Sequence, residues 1–235
     1  MKIALLGYGK MGKAIESIAI QRGHEIVLRK SVEDSYDGLE TADVAIDFSV
    51  PTAAVVNITT CLNAGIPVIS GTTGWLEDYE IVVALCQEKN GSFIYSSNFS
   101  LGVNVFFAMN EYLAKIMAKF SQYKVQMQEI HHTQKLDAPS GTAITLAKGI
   151  IENSDYSSWA LENAKPDEIL IDAQRIENVP GTHSVFYNSP VDTIEIKHTA
   201  HNREGFALGA VMAAEWILGK NGVFTMTDVL GLDTL

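Results

Sequence analysis

The first dozen residues restrict the fold more than any other part of the chain. Residues 2–6 are a short β-prone apolar run, and Gly7-Tyr8-Gly9-Lys10-Met11-Gly12 follows without a gap. Ala14, Ile15, Ile18 and Ala19 then fall at helical spacing, Gly23 ends that helix, and residues 25–28 read as a second strand. A strand, a G-x-G-x-x-G turn and an amphipathic helix make a βαβ unit of the dinucleotide-binding kind. The glycines permit a tight turn and let backbone N–H groups approach a pyrophosphate at the helix N-terminus, where the macrodipole favours negative charge. Gly7, Tyr8, Gly9, Lys10, Met11 and Gly12 are therefore expected to form a cofactor seat.

The alternation continues. Strands are expected over 44–48, 67–70 and 92–96, and helices over about 52–64 and 77–89. This predicts the α/β class, with a Rossmann-type doubly wound parallel sheet whose ligands lie beyond the carboxyl ends of the strands. The segments 7–12, 47–51, 71–74 and 96–99 share that edge and should line one cleft. From residue 100 the character changes. A long apolar helix over 105–120 precedes an alternating strand over 123–131, a helix over 143–153 and a polar loop over 154–167. Residues 168–176, 183–189 and 192–199 alternate again, as in a second α+β domain with an open, largely antiparallel mixed sheet. An alanine-rich helix over 206–218 suits packing back on the first domain. The expected division is a dinucleotide-binding domain of 1–99 rejoined by 206–235, and a substrate-binding and oligomerisation domain of 100–205, with hinges near 98–100 and 203–206.

Composition narrows the partners. With 28 acidic against 17 basic side chains, the net charge of −11 argues against a nucleic-acid partner, which needs a basic face, though not against a small anionic substrate. Cys61 and Cys86 sit in apolar helical runs and read as buried hydrophobes, not as a disulfide or a zinc site. No apolar stretch approaches the roughly 18 residues of a membrane span, and Met1 leads directly into a strand, so a cytoplasmic protein is expected. NAD-selective folds often end the second strand in an acid that binds the ribose 2′-OH, whereas an arginine accommodates the 2′-phosphate of NADP. Here the strand ends Leu28-Arg29-Lys30, with Lys10 in the glycine loop, which favours NADPH while leaving NADH open.

The second dense feature is Glu129-Ile130-His131-His132-Thr133-Gln134-Lys135-Leu136-Asp137-Ala138-Pro139-Ser140-Gly141-Thr142-Ala143. An alternating strand delivers His131 to a loop, Pro139 blocks helix continuation, and Ser140, Gly141 and Thr142 open a helix with free N–H groups. A helix N-terminus beside a lysine receives a carboxylate, and imidazoles carry protons near neutral pH. Glu129 reads either as a surface charge or as a partner orienting His131. His24, His183, His198 and His201 do not fall at metal-ligand spacing with an acidic or cysteine partner, and no metal is expected.

This tract resembles the signature E-x-H-H-x-x-K-x-D-A-P-S-G-T-A of the 4-hydroxy-tetrahydrodipicolinate reductase (dihydrodipicolinate reductase) family, without a break from Glu129 to Ala143. The similarity extends through the glycine loop, Asp47-Phe48-Ser49, Gly71-Thr72-Thr73-Gly74, Asn98-Phe99-Ser100, Gly102-Val103-Asn104, His198 to Arg203 and Phe206 to Ala210. The resemblance implies NADH- or NADPH-dependent reduction of a cyclic unsaturated dicarboxylate by a homotetramer, in lysine biosynthesis. It implies His131 as proton donor or acceptor and Lys135 as second catalytic residue, with His132, Ser140, Gly141 and Thr142 on the substrate. On the cofactor it implies Phe48, Gly71, Thr72, Thr73, Ser96, Ser97, Asn98 and Phe99. The chain departs from the family in a short glycine loop, the missing acid after the second strand, and Asn202 before Arg203. Two other functions fit the first domain, another two-domain Rossmann dehydrogenase and a non-catalytic nucleotide sensor. Neither accounts for the segment 131–142.

Overall fold

The computed structural model describes residues 1–202 and 204–232. Arg203 of the C-terminal motif, with the hinge expected at it, and residues 233–235 of the expected first domain lie outside the described residues. The described chain divides into two compact units, residues 1–101 with 204–232, and residues 102–202.

Unit 1 is built on six parallel strands, β1 (Lys2–Leu6), β2 (Glu25–Lys30), β3 (Val44–Asp47), β4 (Val68–Ser70), β5 (Ser92–Tyr95) and, from the far end of the chain, β11 (Gly222–Phe224). Their spatial order is β11-β5-β4-β3-β1-β2. Successive side chains of a strand face opposite ways, and both faces here are apolar. Ile3, Leu5, Ile46, Ile69 and Ile94 meet α1 (Lys10–Gln21) and α6 (Glu204–Ile217) through Ile15, Ala19, Ala210, Ala213 and Ala214. On the opposite face Ala4, Leu6, Ala45, Val68 and Phe93 meet α2 (Pro51–Asn63) and α3 (Tyr79–Glu88). Cys61, Cys86 and Trp75 are part of that second layer.

The alanines of α6 let its backbone come close. A Cβ at Gly209 would stand 1.7 Å from the Phe99 carbonyl oxygen, so only glycine fits where the helix crosses the loop after β5. The described chain does not stop at α6. It adds the edge strand β11 and α7 (Met226–Leu230), whose first turn is closed by a Thr225/Asp228 capping box, two elements the sequence reading left unassigned.

Unit 2 carries β6 (Lys124–His131), β7 (Ser158–Ala160), β8 (Glu168–Arg175), β9 (Gly181–Asn188) and β10 (Thr193–Ala200), in the order β10-β9-β6-β8-β7. The stretch 154–167, expected as a loop, thus contains a strand, one too short for its alternation to register. Pairings β10–β9 and β9–β6 are antiparallel, whereas β6–β8 and β8–β7 are parallel. The sheet is therefore evenly mixed, because the crossover through α5 (Gly141–Ile151) returns the chain parallel to β6. Helices α4 (Leu101–Met117) and α5 cover one face, packing Phe106, Ala114, Leu146 and Ile150 on Val125, Met127, Ile169, Ile171 and Val185.

Gly209→Ala is expected to lower the unfolding free energy by about 3 kcal/mol, at the upper end of overpacking costs because the obstructing atom is backbone. Urea unfolding checks it; an unchanged midpoint would mean that α6 shifts without cost.

Candidate active site

The glycine loop of unit 1 is held against the end of β2, where the Gly7 and Tyr8 N–H groups both donate to the Lys30 carbonyl, at 2.8 and 3.2 Å. Gly7 has φ +96°, and a Cβ there would lie 2.1 Å from the Phe48 carbonyl oxygen. Gly9 caps α1 with no side-chain hydrogen bond, and a Cβ on it would meet nothing within 4 Å. Its uncapped amides and open approach fit a pyrophosphate. A cavity of about 290 Å³ opens there, lined by Gly7, Tyr8, Gly9, Lys30, Phe48 and Ser49 among others.

Asp47, fully buried at the end of β3, organises the adjoining loops. It accepts from Ser49 Oγ (2.7 Å), Asn57 Nδ2 (2.8 Å), Ser70 Oγ (2.8 Å) and Thr72 Oγ1 (2.7 Å). Burial pushes its carboxyl pKa up, and these four donors oppose the rise. The Thr72 hydroxyl is thus spent inside the protein. Phe48 lies on Gly71, where a Cβ would be 2.3 Å from its Cζ, and its ring sits 5.6 Å from that of Phe99. Ser96 Oγ closes a turn on Asn98, donating to its carbonyl at 2.7 Å and accepting from its N–H at 3.1 Å. Thr73 and Ser97 are exposed at this edge, as is Lys10. The Phe99 side chain belongs to the core, so only its backbone can serve a ligand, whereas Met11 is partly buried against that core.

The two cations at the end of β2 are engaged. Arg29 Nε donates to Glu16 Oε1 at 2.8 Å, and Arg29 Nη2 bonds the same oxygen. The Tyr8 hydroxyl donates to Glu16 Oε2. Lys30, buried, donates from Nζ to the Ser31 and Val32 carbonyls at 3.0 and 3.2 Å and lies 4.7 Å from the Tyr36 ring centre.

In unit 2 the helix-covered face of the sheet changes chemistry along its length. One row across it is Ile171–Met127–Val185–Ile196, wholly apolar. The next row is Ala173–Glu129–His183–His198, and beyond it His131 pairs with Arg175 on β8. Period-two alternation thus places His131 and Glu129 on one face with His183, which the sequence reading weighed only as a metal ligand, and Arg175, which it did not single out.

Glu129 is fully buried, which excludes the surface-charge alternative. Its Oε2 accepts from the Ser140 N–H at 2.9 Å and its Oε1 from Arg175 Nη2 at 3.1 Å. At 3.9 Å from His131 Nε2 it makes no hydrogen bond to that ring. The ring is met instead by His183, Nε2 to Nε2 at 3.3 Å, and Ser140 Oγ lies 3.0 Å from the same His183 nitrogen. Burial and the neighbouring His131 hold the His183 pKa down at about 4. Burial also lowers that of His131, against the raising effect of Glu129.

The loop between β6 and α5 is fixed from several sides. Arg175 donates from Nε to the Lys135 carbonyl at 3.2 Å, and its Nη2 bonds the Asp137 carbonyl. The Lys135 ammonium is paired with Asp137 at 2.8 and 2.7 Å, and that pairing lowers the Asp137 pKa. Ser140 caps α5 through Ala143 N–H at 3.2 Å, a bond that leaves the amides of Gly141 and Thr142 to other acceptors. His132 Nδ1 is buried without a hydrogen-bond partner among the described residues.

Glu129, His131 and His183 offer donor atoms within 4.8 Å of one another, the composition of a zinc site. The surrounding charge opposes a cation. Arg175 already neutralises Glu129, Lys135 stands close enough to depress both histidines, and the positive end of α5 begins at Ser140. The ensemble suits an anion beside a proton carrier.

Known proteins with this organisation are consistent in kind. Residues 1–99 match the family described as "Dihydrodipicolinate reductase, N-terminus", and residues 102–230 the one described as "Dihydrodipicolinate reductase, C-terminus". A 4-hydroxy-tetrahydrodipicolinate reductase of Christiangramia forsetii is 57% identical over 233 residues, covering 98% of both chains. One of Methanosarcina barkeri is 39% identical over 232 residues, covering 96% of this chain and 83% of its own. Among solved structures, the dipicolinate-bound dihydrodipicolinate reductase of Paenisporosarcina sp. TG-14 shares the fold, with TM-score 0.76 and 21% identity over 97% of this chain and 98% of that one.

Arg175→Met strands the Glu129 carboxylate and is expected to cost about 3 kcal/mol or more of stability. Adding Glu129→Gln should recover part of that loss in a double-mutant cycle followed by urea unfolding; strictly additive losses would show that the pair is not coupled.

Proposed function

We infer that this chain, which belongs to the dihydrodipicolinate reductase family, reduces 4-hydroxy-tetrahydrodipicolinate to tetrahydrodipicolinate with NADH or NADPH, releasing water, in lysine biosynthesis by the diaminopimelate route. The observation that carries the site assignment is the folding of 131–142 into an imidazole, an ammonium and an α5 N-terminus about one loop, stapled by Glu129 and Arg175. A dehydrogenase of another family, or a nucleotide sensor, would have no use for a proton carrier beside a carboxylate seat.

The glycine loop, with Gly71, the exposed Thr73 and the 96–99 turn, is the proposed seat of the nicotinamide dinucleotide. When bound, that cofactor supplies a hydride. The protein's own groups do the rest. Gly141 and Thr142 N–H groups, with Thr142 and His132, bind a substrate carboxylate at the positive end of α5. Lys135 exchanges Asp137 for a second carboxylate or for the charge that builds toward the ring nitrogen, and so stabilises the transition state. His131 holds the proton that ends on the reduced ring. His183, kept neutral by its depressed pKa, can accept from His131 Nε2 or donate to it, and so supports either protonation state.

Assembly is proposed to use the sheet face of unit 2 opposite α4 and α5, where Gln126, Gln128, Asp172 and Gln174 lie, giving a homotetramer in the cytoplasm. The free, buried thiols of Cys61 and Cys86 suit a reducing compartment. No helix of the described residues is long and apolar enough to cross a membrane. Sedimentation equilibrium at about four times the chain mass is the expected result; a monomer would remove the assembly proposal.

His131→Gln is expected to cut turnover by about 10²-fold or more, the scale of general acid catalysis, with cofactor affinity retained. Lys135→Ala should raise KM for the dicarboxylate and lower kcat together. Both are read from oxidation of the reduced cofactor at saturating and limiting substrate. Full activity of either variant would remove that residue from the mechanism.

A further inference from the structure

Arginine after the second strand ordinarily marks a place for the 2′-phosphate of NADP. In this chain Arg29 points elsewhere. Both Nε and Nη2 converge on one carboxylate oxygen of Glu16, a residue of α1. The Tyr8 hydroxyl occupies the other oxygen, and the Arg29 guanidinium carbon lies 6.0 Å from the centre of the Tyr8 ring. Tyr8 itself lines the cavity at the glycine loop, as do Lys30, Ser31 and Val32, whereas Arg29 is not among the lining residues. Lys30 keeps its charge, but its ammonium is held by the Ser31 and Val32 carbonyls over the face of Tyr36, which ties it to this turn. Asp34 adds a second carboxylate beside this edge, accepting from the Ser31 N–H at 2.7 Å.

We propose that Glu16 is a cofactor-specificity residue, which selects NADH over NADPH by holding Arg29 in the Tyr8–Glu16–Arg29 cluster. A 2′-phosphate arriving here must either break a charge-assisted pair to recruit Arg29 or bind beside the Asp34 carboxylate without that guanidinium. A 2′-hydroxyl meets neither cost. Glu16 acts through Arg29 and so is a positioning residue; it need not touch the cofactor. The proposal rests on the dinucleotide seat at Gly7–Gly12, and its tests separate the two.

The wild-type enzyme should show a kcat/KM ratio of NADH to NADPH above one. Glu16→Gln frees the guanidinium and should shift that ratio toward NADPH by about tenfold or more, the scale of one charge-assisted hydrogen bond. The change should fall on the NADPH KM and its directly measured Kd, leaving kcat nearly constant. Replacing Arg29 as well, in Glu16→Gln/Arg29→Gln, should abolish the gain. A wild-type preference for NADPH, or an unmoved ratio in a Glu16→Gln protein of normal thermal stability, overturns the selection. Gly9→Asp tests the seat by itself. A Cβ there meets nothing within 4 Å, so the variant should fold and weaken NADH and NADPH alike; unaltered binding of both would overturn the seat, and the proposal with it.

Discussion

The Glu129 carboxylate, removed from water altogether, is the constraint around which unit 2 is arranged. A buried charge without partners is costly, and its two oxygens are met by an N–H at the start of α5 and by a guanidinium from β8. Each partner then does a second task. Ser140 caps α5 and approaches His183, while Arg175 binds the carbonyls of Lys135 and Asp137. The loop that carries the lysine is therefore tied to the sheet at its middle and at its end. The imidazole of His131 sits next to this framework and borrows its rigidity through His183.

Unit 1 answers the same need with different chemistry. Asp47 also ends a strand in full burial, but its four donors are hydroxyls and an amide, without a cation. Burial accordingly dominates, and its pKa rises. The benefit is a set of loops drawn together under the dinucleotide edge with no positive charge of their own. Positive charge near that edge comes from helix and loop amides and from the exposed Lys10 at the start of α1, which favours a ligand whose negative groups lie at the pyrophosphate.

Much of this was legible in the residues. The spacing of glycines after an apolar run fixed the first βαβ unit, and the alternation Val125, Met127, Glu129, His131 already placed the catalytic candidate and its neighbour on one face. What sequence could not supply was register. His183 and Arg175 join the site only because β9 and β8 lie beside β6 in one particular alignment, and nothing local to either residue specifies it. The strand reading began at residue 183 and so missed Gly181, which gives His131 its room, a Cβ there standing 2.9 Å from the ring. Three-residue strands such as β7 and β11 are below the length at which periodicity speaks. The even mixture of pairings in the second sheet could have been read from the strand–helix–strand order of β6, α5 and β8. Arg29 shows the converse, a residue correctly placed whose charge is assigned elsewhere by a helix thirteen positions earlier.

The discontinuity of unit 1 sets the order in which the protein can be completed during synthesis. Its first hundred residues provide five strands, both helices of one face and α1 of the other, yet the layer that shields Ile3, Leu5 and Ile46 is completed only by α6, and the sheet edge beside β5 needs β11. Until α6 and β11 have been made, that apolar surface is only partly covered and that strand edge is unpaired. Unit 2, continuous between residues 102 and 202, has every strand of its own sheet before then. Unit 2 can therefore fold while unit 1 still waits for α6 and β11, and the incomplete chain is most exposed to aggregation on unit 1.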